Sequence, residues 1–130
     1  MSHRVFFLVA LVLLGFSPNP AKATQAYSES LMDCAVLFNT SNRINPERAD
    51  HGKGLALSRI AEALEKAAHD QAVNEGQDAP EGYLSQLKAS KISHWDSKGM
   101  TYVFSDEFRD WMTYCRKFAD HLGIDFKNLP

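Results

Sequence analysis

The sequence predicts an all-α domain, a small four-helix bundle or an orthogonal helical array, on three observations. Apolar residues recur at helical spacing in four separate stretches. Turn and capping residues stand between those stretches. The only two cysteines, Cys34 and Cys115, fall one in the first apolar stripe and one in the last.

Residues 1–23 read as a secretory signal peptide. Arg4 gives a basic start, Val5–Phe16 is an unbroken apolar run, Ser17–Pro20 interrupts it, and Ala21 and Ala23 are small residues two apart. The run falls short of the roughly 20 residues of a membrane span. The expected product is one domain, residues 24–130, periplasmic or secreted, with no stable insertion in a membrane.

In the first helix Tyr27, Leu31, Cys34, Ala35 and Phe38 share a face, and the turn-forming run from Asn39 to Pro46 ends it. Asn45 suits an N-cap and Pro46 a first helical position, so a second helix is expected from there. Its stripe is Leu57, Ile60, Ala61, Leu64, Ala67 and Ala68. Gly52 and Gly54 sit badly in a helix interior, so this helix begins near Gly54 or its glycines admit a close neighbour. Asn74–Gly82 is a loop. A third helix runs from about Pro80 to Lys98, with Tyr83, Leu84, Leu87 and Trp95 as its apolar residues. Thr101–Phe104 is the only β-like run, and four residues cannot make a sheet alone. Ser105 caps the fourth helix, whose stripe is Phe108, Trp111, Met112, Cys115, Phe118, Ala119 and Leu122, with Gly123 placed to stop it. Ile124 and Phe126 are expected to pack back on the bundle.

The stripe positions point both cysteines at the core. In an oxidising compartment such a pair becomes a disulfide, here joining helices 1 and 4. The sequence lacks the C-x-x-C of thiol–disulfide enzymes and the C-x-x-C-H of covalent haem attachment. A nucleophilic cysteine needs an exposed, electropositive setting, and Arg116 and Lys117 point away from Cys115 on a helix.

The whole chain carries a formal charge of −2, and cleavage would remove Arg4 and Lys22 but no acid. A mildly acidic domain whose longest basic run is Arg116–Lys117 argues against nucleic acid as a partner. No cofactor is expected. The sequence also lacks the nucleotide-binding glycine pattern and the G-x-S-x-G elbow. Asn39–Ser41 is a glycosylation sequon, which matters only in a eukaryotic secretory pathway.

Four histidines of residues 24–130, namely His51, His69, His94 and His121, each adjoin or nearly adjoin an aspartate. Sequence neighbours on a helix do not face the same way, which weakens a metal reading. Its best group is Glu62, Glu65 and His69 on the second helix, with Glu65, His69 and His121 as the alternative ligand set. Met32 and His121 resemble, in position alone, the haem ligands of some periplasmic four-helix bundles. A Cys34–Cys115 bridge turns Met32 away from helix 4. A pocket enzyme would place His94, Trp95 and Asp96 at a cleft beside the helix 3–4 connection.

Trp95, Tyr102 and Tyr114 lie off the clearest stripes and are candidate partner-binding residues. With no nucleophile, base and orienting group in view, the expected function is an exported helical binding or accessory protein that recognises another protein in the cell envelope, such as an inhibitor or immunity-type protein. A metal- or haem-binding periplasmic bundle is the alternative.

Overall fold

The computed structural model describes residues 25–130. The expected signal peptide, residues 1–23, lies outside them. Among the described residues the fold is all-helical, with five α-helices and two 3₁₀ turns: α1 (Tyr27–Phe38), α2 (Thr40–Ile44), a turn at Pro46–Arg48, α3 (Gly52–Asn74), α4 (Pro80–Asp96), a turn at Met100–Phe104, and α5 (Asp106–His121). No helix among the described residues is long and apolar enough to cross a membrane.

α1 is the axis of the molecule. It packs against α3, α4 and α5 together. The expected single stripe is only part of what it buries, because Ser28 and every residue from Ser30 to Phe38 are shut from solvent. A helix that is apolar nearly all round belongs inside a fold. Leu31, Leu37 and Leu64 of α3 belong to one core cluster, each fully buried side chain contributing about 2 kcal/mol or more.

Two polar devices fix this buried helix. Asp33 Oδ1 accepts from Trp95 Nε1 of α4 at 2.9 Å, and its Oδ2 accepts from Gln25 Nε2 at 2.8 Å and from Lys91 at 3.0 Å. At the start of α1, where the first amides have no partner inside the helix, Glu75 from the end of α3 takes over. Its carboxylate accepts from the Ser28 N–H at 3.0 Å and from the Ser28 hydroxyl at 2.7 Å.

The Cys34–Cys115 disulfide joins the first and last helices, with the Cα atoms 5.5 Å apart. α5 makes its principal contacts with α1 and with the 3₁₀ turn before it. Its expected stripe faces inward, and Ser105 caps it by accepting from the Phe108 N–H at 3.1 Å. Gly123 (φ +76°) closes it: the Ile124 N–H donates to Ala119 and the Gly123 N–H to Asp120, a pattern that needs the left-handed conformation. The tail then returns to the bundle, Phe126 meeting Phe38 edge to face at 5.4 Å.

Two expectations need correction. The stretch after Asn39 is not only turn, since Thr40–Ile44 forms α2. Long-range hydrogen bonds from Asn42 and Arg43 hold it helical. The helix expected from Pro46 is there only a 3₁₀ turn, and the long helix starts at Gly52. Both readings of the glycines hold: the helix begins close to Gly54, and a Cβ on Gly54 would run into the Arg48 carbonyl oxygen. The β-like Thr101–Phe104, too short for a sheet, lies in the second 3₁₀ turn, which follows Gly99 at φ +90°.

Candidate functional site

Two adjoining concave surfaces lie where α2 meets the Met100–Phe104 turn. Their base is hydrogen-bonded in place. Arg43 of α2 folds back, its Nη1 donating to the Val36 carbonyl at 2.7 Å and so satisfying one of the free carbonyls at the end of α1. The same guanidinium grips the Asp96 carboxylate at the end of α4, with Nη2 at 2.8 Å and Nε at 3.3 Å from Oδ1. Buried Asn42 donates to the Gly54 carbonyl at 2.9 Å and to Ser58 Oγ at 2.9 Å, which ties α2 to the start of α3.

The opposite wall is aromatic. Tyr102 stacks on Trp95 at 6.1 Å, and the Lys98 ammonium lies over both rings at 5.3 and 5.7 Å. The Tyr102 hydroxyl is buried without a hydrogen-bond partner. Burial, and next the neighbouring Glu107 carboxylate, push its pKa up to about 12.

Between these walls is a cleft of about 310 Å³, lined among others by Leu37, Arg43, Trp95 and Tyr102. A second hollow of about 340 Å³, reaching Arg48, Val103 and Phe104, lies beside it. The two share Ile44 and Met100 as a dividing ridge. Ile44 is 42 %, Met100 71 % and Phe104 82 % exposed. Large apolar side chains this open, gathered at one place over a hydrogen-bonded base, make a surface suited to apolar contact with another molecule.

No protein-family model, no curated protein and no solved structure matches this chain. Its geometry is therefore the ground for any functional reading.

The residues singled out by sequence are scattered across the molecule. Trp95 is only 5 % exposed, its indole N–H held by Asp33 of α1, so it contributes to the cleft wall but presents little surface to a partner. Tyr102 is half-buried beside it. Tyr114 is exposed on α5, in a different place from the ridge. The cleft expected beside the helix 3–4 connection is present, and Trp95 and Asp96 line it. His94 does not; it is exposed and packs edge-on against Trp95 at 4.9 Å. Arg43 is committed to Asp96, Val36 and Thr40, so the pair serves as a wall.

Glu65 and His69 do share a hollow between α3 and α4, with Met32 at its floor, but His121 is not among the residues lining it. Each is already engaged: Glu65 with Lys88 at 2.6 Å, His69 with Glu81 at 3.1 Å. Glu81 is held below the usual carboxylate range, first by its own backbone hydrogen bond and then by His69. Among the described residues no three His, Cys, Asp or Glu side chains come together as a metal site. Met32 points into this hollow, on another side of α1 from Cys34 and α5.

The ridge escaped the sequence reading. Ile44, Met100 and Phe104 belong to no helical stripe, and that was the available signal: apolar residues with no core position to fill.

Proposed function

We propose that this chain is a small exported helical binding protein, an inhibitor, immunity-type or other accessory subunit of the cell envelope. It meets its protein partner with the face formed by Ile44, Met100, Val103 and Phe104. The observation that carries the reading is the exposure of Met100 and Phe104 beside two adjoining hollows, on a turn whose base is hydrogen-bonded in place. Binding surfaces of this kind combine apolar anchors with pockets beside them. Export is supported by the leader pattern of residues 1–23 and by a disulfide, which persists in oxidising compartments.

The test is a photo-crosslinking residue in place of Phe104 in the full chain, expressed in its own host. One discrete heterologous adduct is expected. The same group in place of Arg59, exposed on α3, is expected to give none, and Met100→Asp removes the adduct without altering thermal unfolding. Equal labelling from both positions sinks the proposal. An adduct of twice the chain mass reassigns the face to self-association.

A further inference from the structure

α5 carries a second feature, further along the aromatic series that links Tyr102 through Trp95 to Trp111. Trp111 and Tyr114 have ring centroids 5.5 Å apart and planes at 87°, so the two rings form a corner. Glu107 and Asp110, one turn earlier, complete a shallow hollow of about 410 Å³ that these four residues line. Core packing accounts for Trp111, which lies against Trp95 at 5.2 Å. It does not account for Tyr114, which is 44 % exposed and is steadied by stacking on Phe118 at 5.8 Å. Nor are the acids balanced. Glu107 has Lys98 only at 3.8 Å, and among the described residues Asp110 has no cation within salt-bridge distance.

Every group of the corner favours positive charge. Aromatic faces attract cations through their quadrupole. A guanidinium is planar, lies flat on a ring and at the same time presents N–H groups at its edge to a carboxylate. Perpendicular rings with carboxylates beside them offer both contacts at once. The hollow is open on one side, which fits the tip of a side chain carried by a larger molecule better than a small cation that must be enclosed.

We propose that the Trp111–Tyr114 corner, with Glu107 and Asp110, takes an arginine side chain of a partner protein. The proposal rests on the binding-protein reading in that the arginine belongs to a partner, but it concerns a different element and is tested without one.

The probe is N-acetylarginine amide, titrated into the disulfide-bonded protein while the Trp111 and Tyr114 ring signals are followed by NMR. Saturable shifts are expected. Asp110→Asn should weaken them about tenfold, the scale of one lost charge-assisted contact, and Tyr114→Leu should abolish them. Trp111 is left intact because it packs on Trp95. Added salt should weaken binding, and Met100→Asp should leave it unchanged. Equal shifts with the uncharged citrulline analogue, or no effect of Asp110→Asn, would overturn the proposal. Tighter binding of tetramethylammonium than of the arginine amide would also overturn it, by assigning the corner to a quaternary ammonium. Either failure leaves the crosslinking result at Phe104 untouched.

Discussion

A carboxylate only 5 % exposed, as Asp33 is, survives in a core when its oxygens are matched by donors. Trp95, Gln25 and Lys91 supply them, so Asp33→Ala strands a buried indole N–H and leaves the mostly buried Lys91 ammonium with Glu29 as its one remaining carboxylate. A loss of about 3 kcal/mol in urea unfolding is expected. Lys91 has a pH signature as well. Burial lowers its pKa, but hydrogen bonds to Glu29 and Asp33 raise it, and the net value lies above the ordinary 10.5. The folded state therefore holds this proton more tightly than the unfolded chain does. The stability it lends is fully present below pH 10.5 and is lost as the pH climbs through the raised value. Tyr102, raised from 10.0 to about 12, lends stability below pH 10 that is lost between those two values. Unfolding midpoints should thus fall in alkali, and fall less steeply in Lys91→Met and in Tyr102→Phe. Gly54 and Gly82 make a contrasting pair. Gly54→Ala drives a methyl into the Arg48 carbonyl and should cost several kcal/mol, whereas a Cβ on Gly82 meets nothing and Gly82→Ala should stabilise α4 by up to about 1 kcal/mol. Thermal melts of the two variants should move in opposite directions.

Among the elements, α3 and α5 were the most legible in sequence. Their stripes sit on one side at a 3.6-residue period, and the core takes up that side. The caps of α5 were legible too, because Ser105 and Gly123 act within a few residues of themselves. α2 was not, since what keeps it helical comes from Asp96, Gly54 and Ser58, all distant in sequence. The candidate site inherits that difficulty, for it is built where α2 meets the Met100–Phe104 turn. Trp95 misled for a similar reason: its partner Asp33 is a charged residue on the far side of a helix–helix contact, and a stripe of apolar residues does not reveal it. The start of α1 shows an element completed by another. Glu75→Ala removes the acceptor for its Ser28 amide, and a loss of about 1 kcal/mol is expected. The discriminating measurement is hydrogen exchange, with faster exchange confined to the first turn of α1.

At the scale of the whole molecule, the disulfide spans 81 residues. Constraining so long a loop in the unfolded chain is worth about 4–5 kcal/mol on the chain-entropy account. That is of the order of a small domain's entire stability. Replacing both cysteines by alanine should therefore lower unfolding free energy by about 4 kcal/mol. Reduction should also act unevenly. α5 rests mainly on α1 and on the turn before it, so its amides should lose exchange protection before those of α3. Uniform loss of protection across all the helices would contradict this arrangement.

The enclosure of α1 has a consequence for how the chain comes into being. Synthesis runs from the amino terminus, so the helix that ends up most deeply covered is made before anything that covers it. Until α3 and α4 have been added it has no apolar neighbour to hide against, and until α5 follows Cys34 waits for its mate. The nascent chain therefore carries the central segment of its future core bare for much of its elongation. A holding chaperone or rapid passage through a translocation channel is what such a birth order calls for. Moving the α1 sequence to the carboxyl end by circular permutation should raise the yield of folded protein in a cell-free system without chaperones.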